Sequence, residues 1–187
     1  MDIVFDVDGT LMNIEHRVKY AFKYLDDYGW SPEITVDALN YPVPNPDYDY
    51  DKFESEIVND TPNFEIFVIV HALLAKLTPD EERCHRLIIA SGRKEKWKET
   101  TLDMLNRAMC LMWGCKYEKD GFYSFWSATY FRKDDDNRKD SIVKEEMYRQ
   151  MLWDGYDPKL VFDDRKQVVD MWRSKGIRVC QVAEGNF

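Results

Sequence analysis

The chain has 187 residues, 44% of them hydrophobic and 14% aromatic, which is typical of one globular domain with a core and room for a small insertion. It contains no run of about 18 apolar residues, so we expect no membrane-spanning helix and no membrane partner. The net charge of −9 argues against a broad nucleic-acid-binding surface, because non-specific binding depends on neutralising phosphates with Lys and Arg. Any contact with nucleic acid is expected to be local.

The start of the chain and its cysteines are typical of a cytoplasmic protein. Only Met1 and Asp2 stand before the first predicted strand, which leaves no room for the basic and apolar regions of a secretory signal. The two closest cysteines have four residues between them and only three histidines elsewhere to complete a site, which makes a weak zinc motif. We expect buried, reduced thiols, as is usual in the cytoplasm, at Cys84, Cys110, Cys115 and Cys180.

Strand and helix patterns alternate along the first half of the chain. An apolar run predicts a strand at Ile3–Asp6, and the next segment predicts a helix over Val18–Tyr28 that stops near a glycine. Tyr41–Tyr50 is rich in Pro, Asp and Tyr and must be irregular. It marks the middle of a predicted cap or insertion at about 24–62. Phe64–Leu77 is apolar over a helical length, and Arg86–Ala90 predicts a second strand.

The alternation continues to the C-terminus. After a helix at Lys96–Trp113 comes the aromatic stretch Phe122–Phe131, which fits either a strand or a lid, and then a helix preceded by Asp and Asn capping candidates. The last elements are a strand at Leu160–Phe162, a helix at Val168–Lys175 and a strand at Ile177–Val182. This order predicts a single α/β domain over residues 1–187 with a mostly parallel central sheet.

Polar clusters follow three of the predicted strands. They are Asp6 with Asp8, Ser91 with Arg93, and Asp163 with Asp164. Ligands of open α/β sheets bind outside the carboxyl ends of the strands. We therefore expect the three clusters to converge on one edge of the sheet.

The acidic residues in these clusters indicate phosphate chemistry with a metal ion. Asp6 and Asp8 flank one residue, so one carboxylate can act as a nucleophile while the other handles a proton. Asp163 and Asp164 add more negative charge than side chains alone should tolerate, and Mg²⁺ would relieve it. Taken alone, the Asp6 and Asp8 motif is equally well explained as an Asp-Gly hairpin turn. The Asp163 and Asp164 pair alone is better explained as a strand end with a helix cap.

Basic and hydroxyl groups complete the pattern. Ser91 and Arg93 could each hold a phosphoryl oxygen, although a turn with a solvated arginine explains this motif alone. Lys144 lies four residues after Asp140 and could balance the acids and the transferred phosphate. For this pair alone, an ordinary surface ion pair is the better explanation.

Together, the motifs resemble the haloacid-dehalogenase-like phosphohydrolase superfamily. The shared features are D-x-D-G-T after the first strand, a serine after the second, a later lysine and an acidic pair. The segments "FDVDGTL", "DNRKDSIVKEEMY" and "VFDDRKQVVDMWRSKGIRVCQVAEGNF" are similar to the phosphatase domain of phage polynucleotide kinase/3′-phosphatase. The resemblance implies a Rossmann-like, three-layer fold with a small inserted cap. A G-x-x-x-x-G-K-[ST] loop is absent, so a stand-alone phosphatase without a kinase half is expected.

The resemblance also implies roles for the acids and for the cofactor, Mg²⁺. Asp6 would attack phosphorus to form an aspartyl-phosphate. Asp8 would protonate the leaving sugar oxygen and then deprotonate the hydrolytic water, which requires a pKa raised by neighbouring acids. The metal would be held by Asp6, Asp8, Asp163 and Asp164.

Further residues are implied to bind the substrate or to assist catalysis. Ser91 and Gly92 would hold a phosphate oxygen, and Asp140 would orient the catalytic Lys144. Three arginines would clamp the scissile or a neighbouring phosphate: Arg17, Arg93 and Arg132.

The substrate is less clearly specified than the reaction, because the insertion departs from the family pattern and caps choose substrates. One or two aromatic side chains could stack on bases beside Arg93, Lys94, Arg132 and Lys133, while most should be core. The candidates are Trp97, Phe122, Tyr123, Phe125, Trp126, Tyr130 and Phe131.

Three functions stay open. The first is a 3′-phosphatase for RNA or DNA ends, which fits the acidic chain if only the terminal nucleotides are gripped. The second is a phosphatase for small nucleotides or other metabolites. The third is a non-catalytic module that binds nucleic-acid ends, which the retained Asp6, Asp8, Ser91, Lys144 and Asp163 speak against.

Overall fold

The computed structural model describes residues 1–20, 25–26, 29–30, 49–74, 85–117 and 125–185. The strands are β1 Asp2–Phe5, β2 Met12–Asn13, β3 Leu25–Asp26, β4 Gly29–Trp30, β5 Thr61–Pro62, β6 Arg86–Lys94, β7 Ala128–Arg132, β8 Pro158–Arg165 and β9 Arg178–Gly185. The helices are α1 Glu15–Val18, α2 Tyr50–Ser55, α3 Phe64–Leu74, α4 Lys98–Trp113, α5 Asp140–Trp153 and α6 Lys166–Ser174, and 3-10 turns occupy Glu56–Asn59 and Glu95–Trp97.

The centre of the fold is a five-stranded parallel sheet in the order β7-β6-β1-β8-β9. The first strand of the chain lies in the middle, with the next long strand, β6, on one side and β8 on the other. The chain therefore changes its direction of winding at β1, which makes the carboxyl end of β1 a topological switch point where ligands bind.

Helices cover both faces of the sheet because side chains alternate along each strand. Ile3 faces a core that includes Phe67 of α3 and Leu105 of α4. Val4 faces the opposite core, which includes Trp172 of α6. Strands buried on both faces are expected to be almost continuously apolar, as β1 is. The predicted α/β fold with three layers and a mostly parallel sheet is confirmed.

Some local predictions were wrong. A helix was predicted over Val18–Tyr28, but the observed helix, α1, ends at Val18, and Leu25–Asp26 pairs antiparallel with Gly29–Trp30. Residues 21–24 and 27–28 of this range lie outside the described residues. Of the aromatic stretch Phe122–Phe131, for which a strand or a lid was predicted, the part from Ala128 lies in strand β7, and residues 122–124 lie outside the described residues.

The predicted cap at about 24–62 lies partly outside the described residues, which include only 25–26, 29–30 and 49–62 of it. Its described end, α2 and the turn Glu56–Asn59, leads into β5, which pairs with β2 beside the end of the central sheet. The division into core and cap stays a prediction.

The cysteines are free thiols where they are described, but burial was predicted for more of them than the structure shows. Cys110 is buried, whereas Cys115 and Cys180 are exposed. Cys84 lies outside the described residues. In the described part of the chain, no helix combines the length and apolar character needed to cross a bilayer.

Candidate active site

The three sequence clusters meet at the carboxyl edge of the sheet. Asp6 follows β1 directly, and its backbone N–H donates to the carbonyl of Phe162 in β8 at 3.0 Å. Asp163 and Asp164 therefore lie beside Asp6. Ser91 is in β6, the neighbour of β1 on the other side.

The loop after Asp6 turns tightly back on itself. The N–H groups of Gly9 and Met12 donate to the carbonyls of Met12 and Val7, each at 2.8 Å. Gly9 has φ of +76°, which favours glycine, and a Cβ at this position would overlap the Asp164 carboxylate. The glycine therefore lets the loop pass directly against the acidic pair.

Lys144 is buried at the centre of the acidic cluster. Its Nζ lies 2.7 Å from Asp6 Oδ1 and 2.9 Å from Asp163 Oδ2. The lysine comes from the first half of α5, so a helix on one face of the sheet supplies the cation for acids on two strands. The side chains of all three residues are less than a tenth exposed.

The charges of this cluster displace the pKa values of its members. Burial raises the pKa of Asp6 well above its ordinary value, and Asp163 and Asp164 raise it further against the opposing effect of Lys144. Burial and the charge of Asp163 raise the pKa of Asp164 to about 7. Burial alone would lower the pKa of Lys144, but Asp163 and Asp6 outweigh it and raise this pKa. The lysine is therefore cationic, and the acids resist full ionisation without a further cation.

The three acids fit a hard divalent cation. Asp6, Asp163 and Asp164 each offer a carboxylate oxygen, and these oxygens all lie within 4.8 Å of one another. Oxygen donors of this kind suit Mg²⁺, which is bound in proteins by one or two carboxylates together with water and substrate phosphate. The raised pKa values of Asp6 and Asp164 indicate excess negative charge that such an ion would offset.

Asp8 belongs to a second cluster. Its Oδ1 accepts hydrogen bonds from Arg17 Nη2 and Arg93 Nε, each at 2.7 Å. Among the described residues, its carboxylate is not part of the metal-like group. That Asp8 binds the metal stays a prediction. Its contacts with Arg17 and Arg93 do not support it.

The raised pKa predicted for Asp8 was wrong. Burial would raise this pKa, but the charges of Arg17 and Arg93 outweigh burial and hold it far below its ordinary value. The sequence prediction considered the neighbouring acids. The structure instead places two guanidinium groups on the carboxylate.

Asp60 completes the second cluster, and the sequence analysis missed it. Its carboxylate accepts from Arg17 Nε at 2.7 Å and from Arg17 Nη2 at 3.0 Å, and it also makes a short contact with Arg93. The side chains of Asp60 and both arginines are almost completely buried. Nothing in the local sequence separates Asp60 from the other acids of the predicted insertion, because its partners lie 43 and 33 positions away.

Ser91 and Gly92 directly precede Arg93, a member of the second cluster, in β6. Ser91 is fully buried, and its Oγ accepts from the backbone N–H of Arg93 at 3.1 Å. A Cβ at Gly92 would lie 3.0 Å from Asp140 Oδ1, which is a tight contact. The predicted contacts of Ser91 and Gly92 with substrate stay predictions. Ser91 does lie at the carboxyl edge of the sheet, where the sequence places it.

Asp140 and Arg132 form a third set of contacts. Arg132 Nε donates to the carbonyl of Gly92 at 2.9 Å, and its other nitrogens contact Asp140 and two loop carbonyls. Asp140 also pairs with Arg165, a residue that the sequence analysis did not select. The hydrogen bonds described for Asp140 go to these arginines and not to Lys144, so its predicted role in orienting Lys144 is at most electrostatic.

A family model matches most of the chain. The model of the phosphatase domain of the polynucleotide kinase PNKP matches residues 46–187, about three quarters of the chain. The chain belongs to this family. As a PNKP-type phosphatase domain it is a haloacid-dehalogenase-like phosphatase, and the resemblance seen in the sequence is confirmed. The match begins after Asp6, Asp8 and Arg17, so their placement rests on the geometry described above.

Solved structures share the fold of this PNKP-type domain. A chain in the structure of the Pnkp1/Rnl/Hen1 complex is 20% identical with a TM-score of 0.57, and the match covers all of this chain but 46% of that one. A putative phosphatase from Clostridium difficile is 14% identical with a TM-score of 0.56, covering 95% and 82% of the two chains. A haloacid dehalogenase-like hydrolase from Streptococcus pneumoniae is 16% identical with a TM-score of 0.51, with the same coverage. The PNKP-type domain therefore spans less than half the length of the Pnkp1 complex chain that it matches.

Proposed function

We propose that the protein is a Mg²⁺-dependent phosphomonoesterase that removes the 3′-phosphate from RNA or DNA ends through an aspartyl-phosphate. The observation that supports it most strongly is the buried lysine, Lys144, shared by Asp6 and Asp163 beside Asp164, in a chain of the PNKP phosphatase family. Structural acids rarely crowd in this way without a ligand to offset their charge.

Asp6 is the proposed nucleophile. A carboxylate oxygen attacks phosphorus, the new P–O bond forms as the bond to the sugar 3′ oxygen breaks, and that oxygen leaves with the electron pair and takes a proton from water to become the 3′-hydroxyl. Water then attacks phosphorus, which releases inorganic phosphate and restores the carboxylate. Lys144 lies within ion-pair distance of Asp6 and is placed to stabilise negative charge on the phosphoryl oxygens.

The metal site would be formed by Asp6, Asp163 and Asp164. A bound Mg²⁺ would polarise a phosphoryl oxygen and offset the charge of the carboxylates. Lys144 occupies one side of the cluster, where it already neutralises part of this charge.

Asp8 is the proposed proton-transfer group. Arg17 and Arg93 keep its carboxylate ionised, which suits removal of a proton from the hydrolytic water. Donation of a proton to the leaving oxygen needs the protonated form, which these contacts oppose. The geometry therefore supports the base half of this role better than the acid half.

The arginines are better explained as positioning residues than as phosphate clamps. Arg17 and Arg93 pair with Asp8 and Asp60 inside the protein, while Arg17 Nη1 has no hydrogen-bond partner among the described residues. They fix the carboxylate that handles protons. A direct contact of either arginine with substrate stays a prediction.

Phosphate release from end-labelled substrates tests this function. The panel contains an oligonucleotide with a 3′-phosphate, the same oligonucleotide with a 5′-phosphate, and a nucleoside 3′-monophosphate, each with Mg²⁺ or with a chelator. We expect release from the 3′-phosphorylated oligonucleotide with Mg²⁺ and little release with the chelator. A strong preference for the mononucleotide would favour the metabolite phosphatase, and no release from any phosphomonoester would favour a binding module.

A further inference from the structure

The end of β6 and the turn that follows it concentrate positive charge in an otherwise acidic protein. Residues 93–98 have the sequence RKEKWK, with four cations and one acid. Arg93 contributes to the buried cluster with Asp8 and Asp60. The remaining cations, with Trp97, have no part in the chemistry proposed above.

This turn lies beside the candidate active site. Lys94 is three residues beyond Ser91 and pairs with Arg132 in the register of β6 with β7. The backbone N–H of Lys96 donates to Asp134 Oδ1 at 2.9 Å, which ties the turn to the loop after β7. The backbone of the turn is therefore held beside the loop that follows β7.

Glu54 of α2 holds the side chains of this turn. Its carboxylate lies 3.2 Å from Lys94 Nζ and 2.5 Å from Lys96 Nζ, and it accepts from Trp97 Nε1 at 3.3 Å. The Glu54 side chain is 5% exposed, whereas that of Lys96 is 48% exposed. In the ion pairs described for these groups, two ammonium groups share the Glu54 carboxylate, and Asp134 and Asp51 also act on Lys96.

The arrangement combines the two features by which proteins hold single-stranded nucleic acid. A half-exposed ammonium can contact a backbone phosphate, and an aromatic ring can stack on a base. Lys96 Nζ lies 5.9 Å from the centre of the half-buried Trp97 ring, so both features occur side by side. In contrast, Phe125 and Trp126 are core residues.

We propose that Lys96 and Trp97 form a binding subsite for the nucleotide that precedes the 3′-terminal one, with Glu54 holding both side chains in place. Lys96 contacts the phosphodiester, and Trp97 stacks on the base. The inference rests on the proposed function and gives it a reason to prefer a polynucleotide end over a mononucleotide, which cannot reach both places.

The test compares an oligonucleotide bearing a 3′-phosphate with a nucleoside 3′-monophosphate, measured as the ratio of their kcat/KM values. Trp97→Ala is expected to lower this ratio about tenfold, the size of effect expected from losing one base-stacking contact. Lys96→Gln is expected to lower the ratio as well, because it removes the phosphodiester contact. Lys96→Gln should also reduce the slope of log(kcat/KM) against log[salt] by about 0.7 for the oligonucleotide, the value for one phosphate contact on a single strand. The control is Lys159→Gln, an exposed lysine at the start of β8 that pairs with Asp157.

The outcomes separate the two proposals. A wild-type enzyme that prefers the oligonucleotide, with the same ratio in Lys96→Gln and Lys159→Gln, overturns the subsite and leaves the 3′-phosphatase intact. A wild-type enzyme that releases phosphate from neither 3′-phosphorylated substrate overturns the proposed function and the subsite with it. Because Lys96 is half-exposed, its substitution should not unfold the protein, so the first outcome is readable even if Trp97→Ala is unstable.

Discussion

Asp164 shows how single residues of the site respond to crowding. Burial and the charge of Asp163 raise the pKa of Asp164 to about 7, and the pKa of Asp6 is also raised, first by burial. Groups with a pKa raised above the unfolded value favour folding while they are protonated. Their contribution is complete below about pH 4 and is lost as the pH rises through the folded pKa. As the pH rises from about 4 to 7, the metal-free protein should therefore lose this contribution to its free energy of unfolding. Metal binding should strengthen over the same range, because the ligands must be deprotonated to bind the metal.

This predicts that the rise in Tm on adding Mg²⁺ grows from pH 5.5 to pH 8. Asp164→Asn should flatten the dependence, because the amide cannot ionise. Thermal unfolding with Mg²⁺ and with a chelator, across this pH range, provides the measurement. An increment in Tm that is independent of pH in the wild type would contradict the assignment of these acids to the metal.

Asp60 gives a second prediction at the residue scale. Asp60→Asn leaves Arg17 and Arg93 buried with one carboxylate instead of two. Removal of one partner from a buried ion pair typically costs 3–5 kcal/mol, so we expect a loss of about 3 kcal/mol in the free energy of unfolding and a reduced kcat. Urea unfolding measures the first effect.

Asp157→Asn is the matched control for Asp60. The side chain of Asp157 is 66% exposed and pairs with Lys159, so its loss should cost less than about 1 kcal/mol. Equal costs for the two variants would show that the buried cluster contributes no more than a surface ion pair.

The loop after β1 gives a prediction at the scale of the element. Gly9 and Gly155 both have positive φ, of +76° and +83°, but only Gly9 has a neighbour that a Cβ would overlap, namely Asp164. Both alanine variants should lose about 1 kcal/mol in the free energy of unfolding, because alanine disfavours a positive φ. Gly9→Ala should also displace Asp164 and lower kcat at least tenfold, while Gly155→Ala should keep the wild-type kcat. Similar kcat values for the two variants would mean that close packing of the loop against Asp164 does not matter.

The elements nearest the site could largely be predicted from the sequence. The apolar runs before Asp6, Ser91 and Asp163 predict strands, and these become the three central strands of the sheet. Periodicity failed at Val18–Tyr28, where α1 ends at Val18 and Leu25–Asp26 pairs antiparallel with Gly29–Trp30. Short pairings of this kind depend on contacts between strands, which local propensity does not contain.

At the scale of the whole molecule, the convergence of the acids follows from topology. Parallel strands bring their carboxyl ends to the same edge, so Asp6 and Asp163 could be expected together although they are far apart in sequence. The pairing within the site could not be predicted, because partner choice depends on how α2, α5 and the loops pack. Asp8 pairs with arginines, Asp140 pairs with Arg165, and Asp60 joins the cluster from another segment.

The most direct test of the account is phosphate release from a 3′-phosphorylated oligonucleotide with Mg²⁺, measured for the wild type and for Asp6→Asn. The amide is close in size to the carboxylate, so the fold should persist, but it is a poor nucleophile. We predict steady turnover by the wild type and a rate at least a thousandfold lower for the variant. Release by Asp6→Asn at near the wild-type rate would contradict the claim that Asp6 attacks phosphorus.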